Sequence, residues 1–93
     1  TEEFYVRRVK NWCDMMSDYF AVTINKAKTP EVMKQMREIN DNYYDSLFEN
    51  IQTLDVGYGI KEQYRDDLNV LYNSFDEIID RMSMVREVMK SYE

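Results

Sequence analysis

The sequence predicts an all-α fold, an antiparallel up-down-up three-helix bundle with a long C-terminal helix. Three observations point there. Leu68, Leu71, Phe75, Ile78, Met82, Val85, Met89 and Tyr92 recur at alternating steps of three and four, the spacing of an apolar helical seam. The chain holds only two glycines and one proline, too little punctuation for the many turns of a sheet protein. With 93 residues and 44% hydrophobic composition, it has material for one modest core and no disorder signature. A single domain over residues 1–93 is expected, with helices at about 3–26, 30–54 and 60–92.

The first helix carries Val6, Val9, Trp12, Cys13, Met16, Tyr19, Phe20 and Ile24 on its main apolar arc. Thr29-Pro30-Glu31 then reads as a helix start. Threonine suits the cap, proline the first helical position, and glutamate the positive end of the helix dipole. The second helix should bury Val32, Met36, Ile39, Tyr43, Leu47, Ile51 and Leu54. Asp55-Val56-Gly57-Tyr58-Gly59 ends it, with Gly57 placed for a left-handed closing residue. Both connections are short, so neighbouring helices should run antiparallel. At 1.5 Å per residue the third helix spans roughly 48 Å and the others nearer ~37 Å. About two turns of the third helix should therefore project beyond its neighbours.

Composition narrows the function. A net charge of −6 disfavours direct contact with nucleic acid or an anionic membrane surface. No apolar run approaches the ~18 residues of a membrane span, and Glu2, Glu3, Arg7, Arg8 and Lys10 break up any signal-peptide pattern. One cysteine permits no internal disulfide, so a cytoplasmic setting is expected. There is no histidine, which removes the commonest general base and the Glu-x-x-His pair of helical di-iron sites. Neither a calcium loop nor a phosphate-cradling glycine loop is present. Cys13 lies on the core seam and reads as a small apolar filler. The expectation is a chain that is not an enzyme and needs no cofactor and no metal.

Three features suggest binding. Phe4, Met15 and Val22 fall on the far side of the first helix from its seam, as a second apolar surface. With Trp12 and Tyr19 at the margins, they form the expected partner-binding set: Phe4, Trp12, Met15, Tyr19 and Val22. Val70 and Met84 make a weaker stripe on the third helix. Glu38, Asp41, Asp45 and Glu49 stack along one side of the second helix. Eight tyrosines and seven methionines are many for this length. Tyr43, Tyr64, Met16, Met36, Met82 and Met89 fit core seams, whereas Tyr5, Tyr44 and Tyr58 should be exposed.

The leading expectation is a non-catalytic helical protein–protein interaction module, self-associating as a homodimer or part of a larger assembly. The alternative is an acidic inhibitor or decoy that binds a nucleic-acid-binding protein through the carboxylate strip. A third option is a small enzyme. Asn25-Lys26-Ala27-Lys28 is faintly similar to the lysine-bearing end of the first helix in the chorismate-mutase family. That family's core-facing arginine has no counterpart in Met15-Met16-Ser17-Asp18, so no catalytic residue carries over.

Overall fold

A computed structural model describes residues 1–25 and 30–91, with side chains at all of these except 23–25, 86, 89 and 90. It is an all-α bundle of three helices: α1 (Glu2–Asn25), α2 (Pro30–Gln52) and α3 (Tyr58–Ser91). The expected cap at Thr29, the seam positions Ile24, Met89 and Tyr92, and the segment Lys26-Ala27-Lys28 lie outside the described residues or side chains.

Three helix ends among the described residues have a local cause. Thr1 caps α1: its hydroxyl accepts from the Phe4 N–H at 3.2 Å and its carbonyl from the Tyr5 N–H at 3.1 Å. Glu2 and Glu3 then sit at the positive end of the dipole. α2 tightens as it closes, with Thr53 N–H donating to the Asn50 carbonyl at 3.1 Å and Leu54 N–H to that of Ile51 at 3.2 Å. Lys61 reaches back to the Gln52 carbonyl at 3.0 Å, placing a cation on the negative end of α2. Gly57 is not the expected left-handed closure, since neither glycine has positive φ. Its carbonyl instead accepts from the N–H groups of Ile60 and Lys61, each at 3.1 Å, which makes it the start of α3. That shift puts the beginning of α3 at Tyr58, two residues earlier than periodicity alone indicates.

Side-chain contacts show how the helices lie. Tyr44 donates to Asn69 at 2.5 Å, and Arg37 pairs with Asp80 at 3.0 Å. Rising numbers in α3 meet falling numbers in α2, the antiparallel sense. Arg8 donates to Ser46 at 2.5 Å, joining α1 to α2. Between α1 and α3 the Tyr64 hydroxyl donates to Glu2, and rings make the other links: Tyr5 stacks on Tyr64 at 5.1 Å, and Phe75 meets Trp12 at 5.3 Å and Phe20 at 5.9 Å. The result is a rod, 55 × 18 × 15 Å between Cα atoms.

Trp12, Met16, Met36, Leu47, Ile51, Leu68 and Ile79 are the fully buried apolar side chains, with Tyr5, Met33, Leu54, Phe75 and Met82 close behind. The expected seams need three corrections. In α1, Tyr5 is buried and Val6 is 55% exposed, the reverse of expectation. In α2, Met33 and the polar Asn40 are buried, whereas Val32, Ile39 and Tyr43 only flank the core. In α3, Ile79 takes the place expected of Ile78, and both Ile78 and Val85 are exposed. A strict seven-residue repeat drifts by about 20° per heptad on a straight helix of 3.6 residues per turn. Over a 34-residue helix that drift carries the later members of the repeat off the packed face. Beyond Met82 the described apolar side chains Met84, Val85 and Val88 are all exposed, yet Ser83 and Glu87 still share a pocket with Pro30 and Met33, so the start of α2 lies beside α3 as far as Glu87.

Candidate functional site: a groove between the first and third helices

The exposed members of the expected seams are not scattered. Tyr5, Val6 and Val9 of α1 and Tyr64, Leu68 and Leu71 of α3 line an open groove of about 330 Å³, with Lys10 and Asp67 also on its walls. The cause is local. Val6 and Val9 lie on the side of α1 next to the buried Tyr5, and Leu71 lies one turn from Leu68 and Phe75. Aromatic rings bridge the two helices from within and hold them apart. Ile78 and Val85 follow Leu71 at two-turn intervals and extend the apolar side of α3, 40% and 47% exposed.

The electrostatics of the groove are quiet. Burial, followed by the nearby Tyr64 and Asp67, pushes the Tyr5 hydroxyl up to about 12. Tyr64 donates its hydroxyl to the Glu2 carboxylate, and that bond raises its value too. Cys13 is half-buried; burial and then Asp14 raise its thiol, the opposite of what an activated nucleophile needs. Among the described residues no cluster of three metal-ligating side chains occurs. Nor, among them, is any helix long and apolar enough to cross a membrane.

Of the five partner-binding residues expected from sequence, three stand at the surface: Phe4 at 49%, Met15 at 38% and Val22 at 54% exposed. They lie together on the outer side of α1, away from the groove. Arg8 sits over the Phe4 ring at 5.6 Å. Tyr19 is half-buried against the core. Trp12 is wholly enclosed, stacked parallel to Tyr43 and edge-on to Phe75, so a lone subunit presents none of it to a partner. Sequence reasoning missed the groove because it assigned Val6, Val9 and Leu71 to the interior. The available signal was the width of the apolar arcs on α1 and α3, broader than one neighbour can cover.

The carboxylate strip Glu38, Asp41, Asp45 and Glu49 is exposed along α2. One member is engaged within the fold, since Asp41 accepts the hydroxyl proton of Tyr72 across the α2–α3 face. That bond, followed by partial burial and nearby carboxylates, pushes the Tyr72 hydroxyl up to about 12. The folded protein thus favours the protonated phenol. The stability it lends is complete below the ordinary value of 10.0 and fades as pH rises through about 12. In an alkaline titration followed by phenolate absorbance, Asp41→Asn should move Tyr72 back toward 10 and leave Tyr5 late. An unchanged titration curve would contradict the bond.

Set against family models, curated protein sequences and solved structures, the chain finds no match.

Proposed function

We propose that this chain is a non-catalytic helical protein–protein interaction module, and that the α1–α3 groove receives an amphipathic helix of a protein partner. The observation that carries the reading is the groove's lining, nearly all apolar, with Val6 55% exposed beside it. An apolar trough between two helices matches the helix-in-groove mode of recognition, in which one face of the incoming helix replaces water over a row of anchors. Completing the burial of a side chain such as Val6 contributes on the order of 1 kcal/mol. Lys10 and Asp67, one on each wall, are placed to set the direction of the incoming helix more than its affinity. A lone half-buried cysteine fits a reducing, cytoplasmic setting.

The test is co-purification of the native chain with its partner, quantified by mass spectrometry. Val6→Lys should reduce recovery of the partner at least tenfold, while Glu49→Gln on the far face of α2 should not. Circular dichroism checks that the variants stay folded; both altered residues are exposed, so they should. Equal recovery by the groove variant would reject the reading.

A further inference from the structure

A second surface lies outside the groove. Phe4, Arg7, Asn11, Met15, Asp18 and Val22 follow one another along α1 at steps of three or four, so they share its outer side. All six are exposed. Beyond the first turn, where Glu2 takes the Tyr64 hydroxyl and Glu3 lies beside Phe4, the charges beside and within this row are sorted by position. Arg7, Arg8 and Lys10 fall in the earlier half of α1, and Asp14 and Asp18 in the later half. Arg8 is engaged with Ser46 and the Phe4 ring. The ion pairs among the described residues are Arg37–Asp80 and Arg81–Glu77, so Arg7, Lys10, Asp14 and Asp18 have no such partner there.

We infer that this face binds a second copy of the chain, α1 against α1, in antiparallel orientation about a two-fold axis that crosses the row between Asn11 and Met15. The inference goes beyond the groove and rests on the reading of the chain as an interaction module. The row is self-complementary in that orientation. Placing Phe4 against the second copy's Val22 also places Asn11 against its Met15, and Arg7 with Arg8 beside its Asp18. The symmetry repeats each contact, as an isologous interface requires. Lys10 then falls near the second copy's Asp14. A parallel pairing would instead set Arg7 against Arg7 and Asp18 against Asp18, with like charges opposed throughout. The apolar pairs supply the attraction; the charges select orientation and partner.

Charge reversal tests this directly. The wild type should sediment as a concentration-dependent monomer–dimer mixture. Arg7→Glu alone, or Asp18→Arg alone, creates two symmetric like-charge contacts and should weaken self-association about tenfold or more. Mixing the two variants in equal amounts should restore the dimer, because each supplies the charge that the other lacks. The double variant R7E/D18R should also recover it. Met15→Glu should dissociate the dimer irrespective of the charges. A wild type that remains monomeric up to millimolar concentration would overturn the proposal, as would single variants that dimerise like the wild type, or a mixture that stays monomeric. A monomeric wild type that still retains its partner through the groove would overturn the second-copy proposal alone. Loss of both kinds of binding would overturn the interaction-module reading as well.

Discussion

Trp12→Ala should lower the melting temperature by at least ~12 °C and leave a substantial unfolded population near body temperature. Removing a buried tryptophan costs about 3–5 kcal/mol, the lost transfer free energy plus the cavity. A domain of this size has only about 5–14 kcal/mol in total, and each kcal/mol moves the midpoint by about 4–8 °C. Trp12 warrants the upper part of that range. It is fully enclosed, stacks on Tyr43 with 2° between the ring planes, and meets the edge of Phe75, so it touches α2 and α3 at once. Its two ring contacts join all three helices. Trp12→Phe is the informative companion. The indole Nε1 is buried without a hydrogen-bond partner. Phenylalanine therefore loses volume but no bond, and removes a desolvated donor. Its cost should be about 1 kcal/mol. Thermal melts followed by circular dichroism distinguish the two, and a drop below ~5 °C for the alanine variant would contradict the described packing.

Asn40→Asp should be almost as damaging at neutral pH and much milder in acid. Asn40 is the buried polar side chain of the core, 1% exposed. Its amide Nδ2 donates to the Tyr72 carbonyl at 3.2 Å, while its Oδ1 is buried without a partner. An ionised carboxylate there would lose its solvation and face a carbonyl oxygen with nothing to offer it. A buried uncompensated charge costs about 3–5 kcal/mol. Burial raises a carboxyl pKa, so the folded form of the variant favours the protonated acid. Its stability is therefore retained below the unfolded value of about 3.9 and lost as pH rises above it. The protonated acid also has an O–H to give to the Tyr72 carbonyl, which reproduces the native bond. Urea unfolding at pH 3.5 and pH 7 would show whether the variant's deficit relative to the wild type shrinks in acid; a pH-independent deficit would mean that the new side chain escapes to water.

Both predictions concern residues that sequence reading placed differently or passed over, and the reasons are instructive. The number of helices was legible because only Thr29-Pro30 and the stretch around Gly57 interrupt the helical pattern. Met36, Leu47, Ile51, Leu68, Phe75 and Met82 were legible as core because each is strongly apolar and near the centre of its arc. Asn40 was not, since polarity alone assigns it to the surface; only the open Tyr72 carbonyl across the interface makes its burial tolerable. Tyr5 was passed over for a similar reason. Its ring packs on Tyr64 and over the end of the core, and a residue with one polar tip gives no clear signal of depth. Ile79 displaced Ile78 because helical phase accumulates along a long helix. Val6 in the groove, and Ile78 and Val85 farther along α3, were read correctly as apolar and wrongly as enclosed. Periodicity tells which side chains share a face. It does not count the helices that surround that face.

The 55 × 18 × 15 Å outline has its own mechanical consequence. A body so narrow holds its interior in single file, each tier of side chains resting only on the tiers above and below. Lesions near the Tyr5–Tyr64 end and near the Met33–Met82 end are too far apart to feel each other, so their costs should simply add. Two lesions in adjacent tiers, such as Trp12 and Phe75, share one void and will not.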